Sequence, residues 1–200
     1  ESNALAHRAV LYASKADVVV DSYAWSGDPV AMTRDGAIAA AESALNADPD
    51  VAAIARSSRV RSELVNGDTV AEVMMTSTID DPALRWFAPT EGRLPEAQTD
   101  VMLTEETAGL LGVRVGDTVK LNAQGAQPLT VVGLTRERGY GAPPAYVPIS
   151  VLDTVARSLP APDPRAIIVP KEAAKTTPGS SGGTLGVQLL VKAKDPAATQ

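Results

Sequence analysis

The chain of 200 residues is 44% hydrophobic and 21% charged, the balance of a globular protein with a real core rather than of a disordered one. Its net charge of −6 excludes the dense basic face that nucleic-acid phosphates or anionic lipid headgroups require. There is no cysteine for a disulfide, a thiolate metal site or a nucleophile, no signal peptide is visible, and no run approaches the roughly 20 apolar residues of a membrane span.

In chain order, Leu5, Ala9 and Tyr12 stand at helical spacing and predict a short helix over 5–14. Residues 17–23 (DVVVDSY) are rich in β-branched side chains and predict a strand, broken by Gly27-Asp28-Pro29. A helix is expected over about 34–46, capped by Thr33 and stopped by Asp48-Pro49, with Ile38 and Leu45 one heptad apart. Residues 51–58 and 60–65 read as two successive strands and 69–79 as a returning one. Asn66-Gly67-Asp68 turns between them, because Asn and Gly tolerate positive φ. This order, strand–helix–strand–hairpin, makes one layer of an α+β fold.

From Glu91 onward the chain becomes a series of short strands and tight turns, with strands expected at 101–103, 119–121, 129–135 and 145–148 and a loop at 124–126. Thr104 caps a short helix over 105–111, closed by Gly112 where a left-handed residue is wanted. Ser150 reads as the cap of a further helix to about 158, with Asp153 in a capping-box position. A short strand at 165–169, a flexible Gly/Ser-rich linker at 176–186 and a last strand at 187–192 complete the reading. Asp195-Pro196 is a helix-start signature close to the last residue, and with Ser2-Asn3-Ala4 at the other end it suggests a piece excised from a longer protein.

Gly92-Arg93-Leu94-Pro95, then DVMLTE at 100–105, then LGVRVGDTV at 111–119, with Gly112, Gly116 and Asp117, and finally LTVVG at 129–133, ending in Val132 and Gly133, form an ordered pattern. Together they resemble the extracytoplasmic (periplasmic core) domain of MacB/FtsX-like ABC-transporter permeases, over about residues 17–195. The resemblance implies an α+β fold in two parts. A strand–helix–strand porter-like layer would comprise 1–87 plus 171–200, incomplete at its C-terminal end, and a small β-rich, barrel-like subdomain would be inserted over 88–170. It implies a non-catalytic module on the extracytoplasmic face of a bacterial membrane, coupling cytoplasmic ATP hydrolysis to movement or docking outside. The implied partners are an ABC ATPase subunit or domain and the permease's own membrane helices, then a second permease protomer and an extracytoplasmic protein or substrate, with no nucleic acid and no cofactor. Movement would run about the junctions at 80–87 and 160–186.

The LG-x-x-x-GD-x-V pattern also resembles small double-psi-type β-barrels, which would make the chain a ligand-binding domain of a soluble enzyme. Pairing of the strand at 187–192 with that at 17–23 is one feature that separates the two readings.

The motif residues have structural roles independent of any family. Gly112 and Gly116 stand at a helix end and a tight turn, and Asp117 can accept backbone N–H groups within that turn. Leu94, Val101, Leu103, Leu111, Val119, Leu121, Val131 and Leu134 are expected to fill one small core.

Candidate chemistry is sparse. One histidine, His7, and no cysteine leave a Ser-His-Asp triad or a zinc site unsupported. The acidic pairs Asp48/Asp50, Asp80-Asp81 and Glu105-Glu106 are what a paired-carboxylate hydrolase or a calcium site needs. However, Glu105-Glu106 fall in a helix first turn, where the macrodipole favours acid, and Asp48 and Asp50 flank a proline turn. The Gly/Ser-rich stretch at 177–186 lacks the Lys of a phosphate loop and precedes a strand. Arg59 with Arg61, and Arg136 with Arg138, share strand faces and read as solvated charge on an acidic chain. Trp25, Trp86, Phe87, Tyr140 and Tyr146 stand at loops or strand ends, where rings anchor partner contacts; packing between the two parts explains Trp86 and Phe87 equally well. No residue is assigned a catalytic role, and no metal or cofactor is expected.

Overall fold

A computed structural model describes residues 15–23, 31–122, 127–137, 142–158 and 186–195. The elements in order are β1 (Val18–Tyr23), α1 (Ala31–Ala47), β2 (Val51–Asn66), β3 (Thr69–Ser77), β4 (Glu91–Gly92), β5 (Asp100–Thr104), α2 (Glu105–Leu111), β6 (Thr118–Leu121), β7 (Pro128–Thr135), β8 (Pro144–Val147), α3 (Ile149–Ser158) and β9 (Gly186–Ala193). The result is a mixed, sheet-dominated α+β fold.

The described strands join one sheet in the order β1-β9-β2-β3-β8-β5-β7-β4, with β6 bridging β7 and β2. The last strand lies between the first and the second: β9 pairs antiparallel with β1, from Val18↔Val191 to Tyr23↔Gly186, and with β2, from Val51↔Ala193 to Arg59↔Gly186. Beyond Arg59, β2 turns to β3, from Arg59↔Thr76 to Asn66↔Thr69, and near its end touches β6 at Leu64↔Leu121. Followed strand to strand, the pairings β2–β3–β8–β5–β7–β6 return to β2. The β3/β8 and β5/β7 pairs are parallel, and the other pairs in this circuit are antiparallel.

Several boundaries differ from the sequence reading. Residues 51–66 form one strand rather than two, because the polar run Ser57-Ser58-Arg59 stays extended while its neighbours change. Helix α1 starts at Ala31, so Thr33 lies inside it; Ala31 and Met32 are good helix formers and extend it toward the N-terminus. Helix α3 starts at Ile149 directly after Pro148, whose carbonyl accepts from the N–H of Val151, so Ser150 sits in the first turn rather than at the cap. The returning strand ends at Ser77. The helix at 5–14, the loop at 124–126, the strand at 165–169 and the linker up to residue 185 lie outside the described residues.

Burial follows the strand alternation. Val187 and Leu189 of β9 face α1 and pack with Ile38, against which Ala41 and Leu45 close. Leu190, on the opposite face, joins Ile79, Leu84, Phe87, Met102 and Tyr146 in a second cluster. A third joins Val60, Leu64, Val73, Met75, Val101, Leu103, Val131 and Val147 from the strands of this circuit with Ala108 and Leu111 of α2 and Leu152 of α3. Of the expected core set, Val101, Leu103, Leu111, Val119, Leu121 and Val131 are in this third cluster, with Leu134 packed against it. Leu94 instead packs against the Phe87–Tyr146 cluster.

Leu190→Ala would open a cavity where three parts of the chain meet. It is expected to lower unfolding stability by about 2–5 kcal/mol, whereas Val70→Ala, on a half-exposed side chain, should stay within about 0.5 kcal/mol. Denaturant midpoints at constant m-value check both, and equal effects would contradict the packing assigned to Leu190.

Candidate functional site

The Gly92-Arg93-Leu94-Pro95 stretch is built on a contact between two backbones. Gly92 pairs with Gly133 across β4 and β7 and has φ +73°, in the left-handed region. A Cβ on Gly92 would lie 2.2 Å from the carbonyl oxygen of Val132, and one on Gly133 would lie 2.3 Å from that of Arg93. Neither position has room for a side chain. The N–H of Arg93 donates to Val132 O at 2.9 Å and fixes the crossing.

From there Arg93 reaches the start of β5. Its Nη1 donates to Oδ2 of Asp100 at 2.7 Å, and the N–H groups of Glu96 and Ala97 donate to the same oxygen at 3.1 and 3.0 Å. The Asp100 side chain is only 5% exposed. Burial pushes its carboxyl upward, but the Arg93 hydrogen bond and the two backbone donors outweigh that and hold it below the usual carboxylate range. The loop carrying Leu94 and Pro95 is thus wrapped around one buried carboxylate. Asp100 was not among the sequence-predicted site residues; an acid at the head of an apolar strand, shortly after an arginine turn, was the available signal.

The second half of the motif is a chain of caps and turns. Thr104 is extended at φ −71°, ψ 150°, and its hydroxyl accepts from Thr107 N at 3.0 Å. Gly112 closes α2 at φ 66°, ψ 34°, and Val113 N donates back to Ala108 O at 2.9 Å. Gly116, at φ +98°, donates to Val131 O at 2.8 Å, and Oδ2 of Asp117 accepts from Arg114 N at 3.0 Å. Val132, 8% exposed, belongs to the same β7 backbone that receives these turns.

Of the aromatic candidates, three come together. Phe87 and Tyr146 stack with centroids 3.8 Å apart, and Trp86 meets Phe87 edge-on at 5.4 Å. Phe87 is 2% and Tyr146 1% exposed, so both rings are core and neither is available to a partner; Trp86 is half-buried beside them. Burial raises the Tyr146 hydroxyl, the charge of Glu137 adds to the rise, and a hydrogen bond from Trp86 opposes it. Burial also raises the Glu137 carboxyl. Trp25 and Tyr140 lie outside the described residues.

Several of the charged candidates find partners within the chain. Arg136 Nε meets both oxygens of Glu105, at 3.0 and 3.1 Å, and Thr90 donates to Glu105 Oε1 at 3.0 Å. The Arg136 and Thr90 hydrogen bonds hold the Glu105 carboxyl below its usual range. These residues line a shallow surface depression with Thr104, Glu106, Thr135 and Glu137. Arg61 pairs with Glu72 at 3.3 Å across the hairpin. Asp48 and Asp81 each accept a backbone N–H two residues on, from Asp50 at 2.9 Å and Ala83 at 2.8 Å, and so act as turn formers. Among the described residues no group of three or more His, Cys, Asp or Glu could hold a metal ion. His7 and Arg138 lie outside them.

At the end of β2 remote from the Gly67 turn, the approach to β1 and the departure from β9 are tied together. Ala193 N donates to Asp17 Oδ2 at 2.9 Å, Lys192 Nζ meets Oδ1 at 3.2 Å, and Asp17 N donates to Val191 O at 2.9 Å. The Ala193 backbone donor is the main reason that the Asp17 carboxyl stays below its usual range.

Two outcomes test this geometry. Gly133→Ala should cost about 1–3 kcal/mol of stability through forced overlap with Arg93 O, read as a lowered midpoint of unfolding. The depressed Asp100 carboxyl contributes stability above its unfolded pKa, and that contribution is lost as pH falls through the folded value. Asp100→Asn should therefore be less stable at neutral pH and lose less on acidification. An acid-unfolding profile parallel to that of the parent protein would contradict the role given to the carboxylate.

No curated protein matches the sequence. Among solved structures, the fold is similar to the periplasmic region of MacB from Actinobacillus actinomycetemcomitans, with a TM-score of 0.50 at 13% identity over 94% of this chain and 81% of that one. The extracellular domain of the noncanonic ABC-type transporter YknZ from Gram-positive bacteria aligns at a TM-score of 0.49 and 14% identity, over 76% of this chain and 71% of that one. A domain of a putative permease protein from Porphyromonas gingivalis aligns at 0.44 and 14%, over 74% and 58%. By sequence the match to the MacB-like periplasmic core domain runs over residues 6–200, and the chain belongs to that family of extracytoplasmic domains of ABC-transporter permeases.

Proposed function

We propose that the chain is a non-catalytic coupling module that carries movement driven by cytoplasmic ATP hydrolysis to the extracytoplasmic side. Efflux, lipoprotein transport and regulation of an envelope enzyme are the outputs such movement serves. The observation that supports this reading best is the pairing of chain arrival and departure at one end of the sheet, where Asp17 is bonded to Lys192 and Ala193. Membrane helices of the same permease attached at that end would push and pull on both strands together. An ABC ATPase subunit or domain supplies the drive, and a second protomer and an extracytoplasmic protein or substrate receive it.

In this reading residues 1–87 plus 171–200 are the porter-like part and 88–170 the insertion. The closed run of pairings β2–β3–β8–β5–β7–β6 supports a barrel-like character for the inserted part, with the β2–β3 hairpin lending it two strands. Gly92, Arg93, Leu94, Pro95, Gly112, Gly116, Asp117, Val132 and Gly133 then shape the insertion and do not contact a ligand. The family membership supports this reading over the soluble-enzyme alternative, and so do the aliphatic side chains clustered among the strands of the circuit.

The test uses the full-length permease with its ATPase. A spectroscopic label on Lys120→Cys, an exposed β6 position in a chain without cysteine, should shift relative to the membrane between nucleotide-bound and nucleotide-free states. A label that stays still while ATP is hydrolysed and transport proceeds would refute the coupling role.

A further inference from the structure

A domain that bends between two parts needs a thin, exposed connection between them. The described residues have the reverse. Strand β2 is 16 residues long and, at about 3.3 Å per residue, extends about 50 Å from the Asp17–Lys192 end to the Gly67 turn. It passes from one set of neighbours to the other without a break. Arg59 is the residue at which the pairings overlap, opposite Gly186 of β9 and Thr76 of β3. One residue earlier, beyond the end of the β2–β3 ladder, the N–H of Ser58 donates to Ser77 Oγ at 2.9 Å. Ser77 is 0% and Ser58 2% exposed, so this donor is satisfied in the interior rather than by water.

Of the two segments expected to flex, 160–186 lies outside the described residues up to residue 185, and 80–87 is also packed. Leu84 is 0% and Phe87 2% exposed, and Thr78 N donates to Val147 O at 2.8 Å just before it. Asp81 holds the turn through Ala83 N at 2.8 Å and Arg85 N at 3.0 Å. The Phe87 ring stacks on Tyr146 of β8, in the cluster that also holds Leu190 of β9 and Met102 of β5. Side chains from both ends of the fold therefore share one core at the joint.

We propose that the layer β1-β9-β2 and the strand circuit form one stiff lever, locked at Ser58–Arg59 by Ser77 and at the Phe87–Tyr146 stack. Displacement at the Asp17–Lys192 end then swings the Gly67 end as a whole, in place of bending at 80–87. The use of the lever in transport rests on the coupling reading above, but its stiffness is a property of the chain alone and is measured on it.

The measurement is the distance distribution between spin labels on the 200-residue chain, at Ser43→Cys on α1 and Lys120→Cys on β6, both exposed. One narrow peak is expected. A broad distribution or two separated peaks would overturn the proposal. In the same labelled background, Ser77→Ala and Phe87→Ala should each cost the single narrow peak while far-UV circular dichroism persists. A peak unchanged in both would overturn the assignment of the joint. A narrow peak here, combined with no nucleotide-dependent shift in the full permease, would leave the lever standing and remove the coupling reading.

Discussion

Every backbone donor and acceptor of a buried strand needs a partner, and in this fold that demand falls most heavily on β2. One strand serves β9 along its first half, β3 along its second and β6 near its tip. Just beyond the end of the β2–β3 ladder, on the edge of β2 away from β9, the side chain of Ser77 completes the set. The position of almost everything else follows from this: α1 covers one face of the β9 side, the 78–87 segment covers the other, and the circuit closes where Leu64 meets Leu121.

Much of this was readable in the sequence, and the failures have physical causes. Strands with clean alternation or dense β-branching, such as β1, β3, β7 and β9, were placed within about two residues. The Thr104 cap and the Gly112 closure were local signals and gave α2 its limits. The unity of β2 was hidden because Ser57-Ser58-Arg59 looks like a polar break. Ser57 and Ser58 are in fact buried, and the Ser58 N–H finds in Ser77 Oγ an interior partner that no local pattern announces. The pairing of Phe87 with Tyr146 was hidden in the same way, since 59 positions of sequence separate rings that touch. The aromatic reading therefore gave Tyr146 a surface role although it belongs to the core, and weighed packing and partner contact equally for Phe87, which is core as well.

The motif that carried the family resemblance turns out to be mostly backbone architecture. Gly92 and Gly133 let two strands cross in contact, Gly112 and Gly116 supply left-handed turns, Asp100 gathers the backbone N–H groups of Glu96 and Ala97, and Asp117 accepts that of Arg114. A pattern of this kind identifies a shape well and a chemistry poorly. Its most buried charge, Asp100, is held by Arg93 as a strut, and the shallow Glu105–Arg136 depression pairs its own charges. The candidate site is accordingly a set of structural joints within the fold.

The insertion of β9 between β1 and β2 bears on how the chain comes to be folded. Asp17 and Ala193 are bonded across 176 positions of sequence, so the first strand waits for the last before the β1-β9-β2 layer can exist. Contacts this distant make loop closure a late step and set a slow tempo for assembly. The β2–β3 hairpin, by contrast, closes through the short turn at Gly67 and can form early. A ribosome or translocation channel therefore releases a chain whose middle organises first and whose ends are joined together only when synthesis has passed residue 193.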